Sequence, residues 1–420
     1  MVTIEEMGQR ARRAFGVLAA APTEQKNACL EGLARSIEGE QAALLAANKL
    51  DVEAAKAAGL SPAMVDRLAL SDLRLAGIAA DLRGVAALPD PVGEVFEQQT
   101  LPNGLRVRKQ RVALGVIAMI YESRPNVTID AAGLGIKTGN AVILRGGSET
   151  VRSNAALVDL VHRALAGSGL PEDAVQFVDD PDRARVGELL RLNQYVDMVI
   201  PRGGAGLHQF CRDTSNIPVM TGGIGICHLY VDETADLRAA LPVIRNAKIQ
   251  RPTVCNALDT LLVDRKIAGA FIPQVVELLA KDGVTFRADP EALSALRGSP
   301  SPAALPAGPQ DFDTEWLSLV LGLKVVGGLE EALGHIAAHS TAHSDGILTR
   351  SDENARRFVA AVDSAAVYVN ASTRFTDGAQ LGLGAEVAIS TQRVHARGPM
   401  GLRELTTYKW VIEGDYHVRP

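Results

Sequence analysis

The stretch GVIAMIYESRPNVTIDAAGLGIKTGNAVILRGGSE, residues 115–149, decides the fold class. It begins with an uninterrupted apolar run, GVIAMIY, and passes through a segment with helical spacing, VTIDAAGLGIKTG, to a second apolar run, AVILRG. Apolar runs without polar alternation are typical of strands buried on both faces, and a helix between two of them is the usual crossover of a parallel sheet. The stretch therefore predicts an α/β domain built on a parallel sheet.

The alternation of short apolar runs with helical segments continues on the C-terminal side of this stretch. Helices are predicted at ETVRSNAALVDLVHRALAGSG and at residues 181–194, and the strands VQFV and VDMVIP complete a first block. A second block has the helices LRAALPVIRNAKI and AGAFIPQVVELLAKD and the strands HLYVD, TLLVD, VTFRAD, LGLKVVG and AAVYVN. Because 420 residues are too many for one simple core, two or three domains are expected.

Helices are predicted for about the first eighty residues. Thr3 with Glu6 has the spacing of a capping box. Thr23 is predicted to cap one long helix over EQKNACLEGLARSIEGEQAALLAANKLDVEAAKAA. Ser61-Pro62 opens a further helix, because proline suits the first helical position.

A hairpin is predicted between the helices and the α/β blocks. The strand-like runs VGEVFEQQTL and LRVRKQRVAL are separated by Pro102-Asn103-Gly104, and Asn-Gly between such runs is a strong turn signal. The second run alternates apolar residues with Arg106, Arg108 and Lys109, so the strand is two-faced and charged. We expect an exposed ribbon that pairs with something outside its own core. The tail TTYKWVIEGDYHV predicts a terminal strand.

The composition excludes several classes of protein. Nearly half of the residues are apolar and 22% are charged, which predicts a folded chain, and a net charge of −6 without a long basic block argues against nucleic-acid binding. The longest apolar stretch, VALGVIAMIY, is too short to span a bilayer, and MVTIEEMGQR lacks the apolar region of a signal peptide. The four cysteines form no CxxC pair, so we expect a cytoplasmic protein with reduced thiols and no membrane association.

One of these cysteines stands in a different setting from the others. Cys29 lies at an apolar position of a helix, Cys211 follows a helical segment and Cys227 begins an apolar strand, so packing is the simplest explanation for each. Cys255 follows the polar turn AKIQRPT and enters NALD, which is predicted to open a helix. A turn-to-helix junction lowers the pKa of a thiol and favours the reactive thiolate. The residues alone leave a nucleophile and a packing residue equally open.

Two glycine-rich turns and a histidine series are further candidates. RGGSE, beginning at Arg145, follows a strand and precedes a helix, where a phosphate can meet backbone N–H groups, although the first strand is not followed by GxGxxG. PRGGAG (201–206) is likewise a glycine-rich stretch after a predicted strand, but a plain turn explains it as well. His335, His339 and His343 have helical spacing, yet the polar STAHS is predicted to end the helix before His343, and no metal site is predicted.

Four long stretches carry a resemblance to a known family. Taken in order, they identify the chain as similar to the gamma-glutamyl phosphate reductase family, a branch of the aldehyde dehydrogenase superfamily, from about residue 5 to 415. The third matches the family's signature and is the most specific. The stretches are YESRPNVTIDAAGLGIKTGNAVILRGGSE (121–149), RNAKIQRPTVCNALDTLLV (245–263), VGGLEEALGHIAAHSTAHSDGI (326–347) and NASTRFTDGAQLGLGAEVAISTQRVHARGPMGL (370–402).

The resemblance implies NADPH-dependent reduction of L-glutamate 5-phosphate to L-glutamate 5-semialdehyde with phosphate release, the second step of proline biosynthesis from glutamate. It implies an aldehyde dehydrogenase-like fold of two α/β domains with parallel-rich sheets and a small β oligomerisation element, and hence a homo-oligomer. A glutamate 5-kinase on a separate chain is the expected functional partner. The implied domains are an NADP-binding domain at 1–94 and 113–227, a catalytic domain at 228–400, and an oligomerisation hairpin and tail strand at 95–112 and 401–420.

The resemblance also implies roles for individual residues. The superfamily's nucleophile falls on Cys255, whose own backbone N–H is one expected donor to the oxyanion. The asparagine that also holds the oxyanion in the superfamily has no clear counterpart, because different alignments put Glu122 or Ser123 there; the nearest asparagine is Asn126. The cofactor contacts are expected at Arg145, Gly146, Gly147, Ser148 and Glu315.

The substrate carries a phosphate and a carboxylate, so its pocket needs cations. Arg124, Arg251 and Arg374 lie in the motifs nearest the expected site and are the candidate contacts, with a surface or salt-bridged arginine as the alternative for each.

Two other functions are alternatives to this reductase. One is another superfamily oxidoreductase acting on a different small aldehyde or acyl substrate, and the other is a non-catalytic scaffold that docks the kinase. Oxidising members carry a glutamate base just before a GG pair, whereas VMTGGIG has Met220 in that place. Loss of the base suits a reductase, which must keep water from its thioester. The presence of Cys255 with its full flanking motif argues against a scaffold.

Overall fold

A computed structural model of the chain describes residues 2–222, 224–298 and 301–419. The chain divides into two compact units, and in both of them helices alternate with the strands of a parallel sheet, which confirms the predicted α/β class. The first unit comprises Met1–Thr221, Gly382–Ala388 and Met400–Pro420, and the second comprises Gly222–Leu381 and Ile389–Pro399. Among the described helices, none combines the length and apolar character that crossing a membrane requires.

The first unit begins with helices and continues as a hairpin and an α/β block. Its helices are α1 (Ile4–Leu18), α2 (Thr23–Gly39), α3 (Gln41–Ala57), α4 (Pro62–Leu68), α5 (Asp72–Ala87), α6 (Asn126–Thr138), α7 (Val151–Gly167), α8 (Arg183–Leu189) and α9 (Ala205–Thr214). Its strands are β1 (Val95–Thr100), β2 (Arg106–Ala113), β3 (Val116–Tyr121), β4 (Ala141–Arg145), β5 (Val175–Phe177) and β6 (Met198–Arg202).

In the second unit helices again alternate with strands. Its helices are α10 (Leu237–Ile249), α11 (Arg265–Ala280), α12 (Pro290–Ala295), α13 (Leu329–His339) and α14 (Asp352–Ala361). Its strands are β7 (Cys227–Val231), β8 (Leu258–Asp264), β9 (Thr285–Ala288), β10 (Ala304–Pro306), β11 (Val320–Val326), β12 (Ser344–Leu348), β13 (Ala366–Val369), β14 (Ile389–Ser390) and β15 (Gly398–Pro399). The chain then returns to the first unit, where it forms β16 (Thr406–Glu413).

The predicted helix starts have mixed outcomes. The capping box at Thr3 is confirmed, because the Glu6 N–H donates to Thr3 Oγ1 and the Thr3 N–H donates to Glu6 Oε2. The Ser61 cap is also confirmed. The Thr23 cap is wrong: Pro22 is the N-cap of α2, and the Thr23 hydroxyl donates instead to Asp90 Oδ2 at 2.8 Å. The long helix predicted after Thr23 is two helices, since α2 ends at Gly39 and α3 begins at Gln41.

In the first unit the parallel sheet has the strand order β5-β4-β3-β6. Every residue of β3 and β4 is buried, as the uninterrupted apolar runs predict. The carboxyl ends of parallel strands meet at one edge of a sheet, so the turns after β3, β4 and β6 lie near one another. The candidate cofactor residues of these turns therefore lie at the C-terminal edge of this sheet.

A separate antiparallel sheet joins the hairpin to the tail in the order β1-β2-β16. The Pro102-Asn103-Gly104 turn is confirmed, with Gly104 at φ +90°. Strand β2 pairs with β16 of its own chain from Ala113–Thr406 to Arg106–Glu413, so the partner outside the hairpin is the tail. Pairing of this sheet with a neighbouring subunit stays a prediction.

In the second unit the parallel sheet has the order β10-β9-β11-β8-β7-β12-β13. Strand β8 lies between β7 and β11, and all of its residues are buried. Residues of α11, among them Phe271 and Val275, pack in one buried cluster with Leu261 of β8 and Leu323 of β11. This packing fixes the start of β8, and with it the turn that carries Cys255.

Candidate active site

Cys255 lies in the turn between α10 and β8. Its side chain is partly exposed, whereas Cys29, Cys211 and Cys227 are buried. The prediction that NALD opens a helix is wrong, because residues 255–257 form a turn and β8 begins at Leu258. Pairing of β8 on both sides outweighs the local helix signal, so no helix N-terminus follows this thiol. Any stabilisation of the thiolate must come from side chains or other backbone groups.

The backbone of Cys255 is held by the segment that leads into β7. The Cys227 thiol donates to the carbonyl oxygen of Cys255 at 3.2 Å. Gly225 packs against the same carbonyl, because a Cβ added at Gly225 would lie 1.5 Å from that oxygen. Close contact with a backbone explains the glycine, since any larger residue has to displace the Cys255 peptide.

Glu315, one of the expected cofactor contacts, belongs to the same cluster. Its Oε1 accepts a hydrogen bond from the Gly225 N–H at 2.9 Å, and burial raises the pKa of its carboxyl group. The structure therefore brings Glu315 to the segment that packs on Cys255. Its contact with a cofactor stays a prediction.

Arg374 is also brought to the Cys255 turn. Its Nε donates to Gln250 Oε1 at 2.7 Å, and its Nη1 donates to Asn256 Oδ1. Burial and the charge of Arg251 lower the pKa of Arg374, while Asp377 and the Cys255 thiol oppose that shift. Arg251, Arg374 and Cys255 are therefore electrostatic neighbours in the second unit.

The remaining predicted residues lie in the first unit, at the C-terminal edge of its parallel sheet. Arg145 ends β4 and is buried, with Nη1 donating to Gly146 O and Nη2 to Pro181 O. None of the described residues accepts a hydrogen bond from its Nε, and burial lowers the pKa of the guanidinium. A buried cation with an unused donor, followed by an exposed Ser148, fits the phosphate or ribose of a dinucleotide.

Gly146 and Gly147 lie close to side chains of their own turn. An added Cβ would lie 2.2 Å from Asn154 Nδ2 at Gly146 and 2.3 Å from Glu149 Oε1 at Gly147. The chain's own side chains fill the space beside both glycines, so a ligand would have to meet their backbone from another side. Their contact with a cofactor stays a prediction.

The turn after β3 is tied to the neighbouring turns. Ser123, at φ +48°, donates through both its N–H and its hydroxyl to Glu149 Oε1, at 2.9 and 2.6 Å. Glu122 Oε2 accepts the Gly204 N–H at 3.2 Å, which places PRGGAG beside the same loop. This loop also carries Arg124.

Asn126 is the first residue of α6, and its Nδ2 donates to Asp130 Oδ2 at 2.9 Å. The amide is thus engaged along its own helix, and its role at an oxyanion stays a prediction. Met220 is buried, and its N–H donates to Val199 O at 2.8 Å. The side chain at the place of the oxidising members' base is therefore apolar, and the second glycine of the adjoining pair, Gly223, lies outside the described residues.

The predicted end of the helix before His343 is confirmed. Helix α13 ends at His339, and His343 lies beyond it, fully buried and bonded through Nδ1 to Ser344 Oγ at 2.9 Å. The rings of His335 and His339 pack at 4.3 Å between centroids. Within the described part of the chain, no group of three or more His, Cys, Asp or Glu side chains is arranged to hold a metal ion.

The burial of His343 predicts a pH effect on stability. Burial lowers its pKa to about 4, although Asp345 opposes the shift. The unfolded chain binds this proton near pH 6.5, so the folded state loses stability as the pH falls from 7 to 5, by about 2 kcal/mol for this group. We expect the His343→Asn protein to lack this part of the stability loss when the free energy of unfolding in urea is measured at pH 7 and pH 5. Equal losses in both proteins would contradict a neutral, buried His343.

The sequence reasoning missed the residues that hold the turn, chiefly Gly225, Cys227, Gln250 and Asn256. Two signals pointed to them: Asn256 is a polar residue that directly follows the candidate nucleophile, and TGGIGIC is glycine-rich immediately before an apolar strand. Neither signal names a partner, because the partners come from distant parts of the chain.

Comparisons with known proteins show the family of the chain. The model of the aldehyde dehydrogenase family matches residues 2–292. The gamma-glutamyl phosphate reductase of Roseiflexus castenholzii is 59% identical, with 100% of each chain covered, and that of Aeromonas salmonicida is 58% identical, with 99% of each covered. The crystal structure of the Thermotoga maritima gamma-glutamyl phosphate reductase has a TM-score of 0.96 and 47% identity, covering 99% of this chain and 100% of that one. This chain therefore belongs to the aldehyde dehydrogenase family and, within it, to the gamma-glutamyl phosphate reductases.

Proposed function

We propose that this chain reduces L-glutamate 5-phosphate to L-glutamate 5-semialdehyde with NADPH and releases phosphate, the second step of proline biosynthesis from glutamate. Full-length identity to reductases of this name supports the reaction. The observation that carries the chemistry is the partly exposed Cys255 thiol beside the cations Arg251 and Arg374. A nucleophile next to positive charge suits a substrate with a phosphate leaving group.

In the proposed mechanism, the Cys255 thiolate attacks the acyl carbon of the substrate. A C–S bond forms, and phosphate leaves with the electron pair of the C–O bond, so the product is a thioester on Cys255. Because phosphate is a good leaving group, little general-acid help is needed. The Cys255 backbone N–H is a donor to each tetrahedral oxyanion, and such a donor is worth roughly 3–4 kcal/mol.

A bound NADPH would supply the hydride that reduces the thioester carbonyl, after which collapse at the sulfur frees the aldehyde. We assign the nucleotide to the first unit, with Arg145, Gly146, Gly147 and Ser148 at the end of β4 as its contacts, and the nicotinamide ribose to Glu315. A base like that of the oxidising members would activate water against the thioester, and Met220 cannot do so. This absence supports reduction over aldehyde oxidation.

The domain roles follow from the same assignment. Residues 1–94 and 113–227 would bind NADP, and 228–400 would carry the catalysis. The hairpin at 95–112 and the tail at 401–420 would join subunits of a homo-oligomer, because the β1-β2-β16 sheet exposes the apolar side chains of Val95, Trp410 and Ile412. We place the enzyme in the cytoplasm, functionally coupled to a separate glutamate 5-kinase.

The reaction run in reverse tests this function. Semialdehyde is offered with NADP or NAD, each with and without phosphate, and nucleotide reduction is followed. We expect a strict need for phosphate and a preference for NADP. Turnover without phosphate would overturn the proposal and favour an oxidoreductase acting on a free aldehyde.

Arg251 gives a prediction about substrate binding. Its side chain is exposed, so Arg251→Ala should fold normally. Loss of a charged contact costs about 1.5–3 kcal/mol, so we expect the KM for phosphate in the reverse direction to rise roughly tenfold or more. Arg350→Ala is the matched control, because exposed Arg350 pairs with Asp236 on the same unit. An unchanged KM for phosphate in Arg251→Ala would remove Arg251 from the substrate site.

A further inference from the structure

Asn256 connects the turn that carries Cys255 to the turn at residues 372–376. Its side chain is only 4% exposed. Asn256 Nδ2 donates to Thr376 O at 2.8 Å, and its backbone oxygen accepts the hydroxyl of Thr373 at 2.7 Å. Its Oδ1 accepts from Arg374 Nη1. Both ends of the amide and the carbonyl of Asn256 therefore engage one distant segment.

The same contacts fix the direction of the Arg374 guanidinium. Gln250, before Cys255, accepts from Nε at 2.7 Å, and Asn256, directly after Cys255, accepts from Nη1. The guanidinium is thus bonded on both sides of the residue that carries the thiol. Both acceptors are neutral amide oxygens, so these bonds orient the positive charge without neutralising it.

We propose that Asn256 is a positioning residue that fastens the Cys255 turn to the 372–376 turn and holds the Arg374 guanidinium beside the thiol, where its charge favours the thiolate. Arg374 then supplies the positive charge that a helix N-terminus was predicted to supply. The proposal rests on the proposed function in that it takes Cys255 as the nucleophile.

The hydrogen-bonding pattern explains why the residue is asparagine. One end of the side chain must donate to a carbonyl, and the other must accept from a guanidinium. Aspartate has no donor for Thr376 O and would neutralise Arg374. Leucine has the same size and neither function, so it would release Arg374 altogether.

The test measures alkylation of Cys255 by iodoacetamide against pH, with the modified peptide identified by mass spectrometry. This readout needs no substrate, so it separates failure of the inference from failure of the proposed reaction. An opposite charge nearby favours the charged form by about one pKa unit or more, so we expect Asn256→Ala to move the midpoint of the rate profile up by about one unit. We also expect kcat to fall at least about tenfold, with KM for NADPH unchanged.

Two variants show whether the effect passes through Arg374. We expect Arg374→Ala to shift the alkylation midpoint in the same direction, and the double variant to shift it no further than Arg374→Ala alone. Additive shifts would overturn the proposal. If Asn256→Ala folds poorly, Gln250→Ala removes the other acceptor from an exposed position and should shift the midpoint in the same direction.

Asn354→Ala is the matched control. Asn354 Nδ2 donates to Asp232 Oδ1 at 3.0 Å in the same unit, away from the Cys255 turn, so its loss should leave the alkylation profile unchanged. A merely structural Asn256 would lower the melting temperature and leave both the midpoint and kcat as in the wild type. That result would overturn the inference.

Discussion

Cys255→Ala is expected to abolish the reduction of L-glutamate 5-phosphate, with kcat lowered by about 10⁴-fold or more. Without the sulfur there is no thioester, and no other described cysteine replaces it, because Cys29, Cys211 and Cys227 are buried. NADPH binding should persist, since the proposed nucleotide contacts at Arg145 and Ser148 belong to the other unit. Fluorescence titration of NADPH and initial rates in both directions give the two quantities.

Cys211→Ala is the control for this variant. It makes the same substitution at a buried thiol in the first unit, so it should lose some stability and keep its kcat. A Cys255→Ala enzyme that turned over at a rate comparable to the wild type would exclude covalent catalysis by this residue.

Gly225→Ala should have the second-largest effect, although residue 225 carries no chemistry of its own. The added methyl group would lie 1.5 Å from the carbonyl oxygen of Cys255 and 2.5 Å from its carbonyl carbon. The obstacle is backbone, so the Cys255 turn itself must move. A displacement of about 1 Å at a reacting group costs on the order of 100-fold, and we expect kcat to fall by at least that factor.

Gly269→Ala is the matched control, because Gly269 is exposed in α11 and an added Cβ there meets open space. It should leave kcat unchanged and raise the unfolding free energy by about 0.5–1 kcal/mol. Circular dichroism shows whether both proteins fold. A folded Gly225→Ala enzyme with wild-type kcat would contradict the close packing of Gly225 on the nucleophile.

The sequence predicted best those elements whose residues are buried on every side. Strand β3 and residues 141–144 of β4 are continuous apolar runs, and burial on both faces of a sheet is enough to specify them. Strand β12 was not predicted, because it begins with the polar residues Ser344 and Asp345. The Asp345 carboxylate can be buried because several partners, including His228 and Ser340, form hydrogen bonds with it. A local sequence pattern does not reveal these partners.

Errors at local signals have the same cause. The Thr23 hydroxyl bonds to Asp90 rather than to its own helix, and the helix start predicted at NALD gives way to the pairing of β8 with β7 and β11. In each case a contact between distant segments outweighs a preference of a few neighbouring residues.

The candidate site shows the same division. Cys255 could be proposed as the nucleophile from its polar turn, and the resemblance that pointed to it was confirmed at the level of the family. The hydrogen bonds that hold the Cys255 turn could not be predicted, because they join distant residues. Asn256 bonds to Thr376, 120 positions along the chain, and Cys227 bonds to Cys255, 28 positions along the chain. The sequence indicated the candidate nucleophile, and the structure was needed to show which residues hold it.

The central claim is that the substrate becomes covalently attached to the Cys255 sulfur before any nucleotide is consumed. The direct measurement mixes the enzyme with L-glutamate 5-phosphate, generated in place by glutamate 5-kinase and ATP, without NADPH, and analyses the acid-quenched protein by peptide mass spectrometry. The account predicts one glutamyl group on the Cys255 peptide, removable by hydroxylamine and absent from Cys255→Ala. An enzyme that completes turnover when NADPH is added, yet carries no adduct at Cys255 or carries it on another residue, would contradict the account.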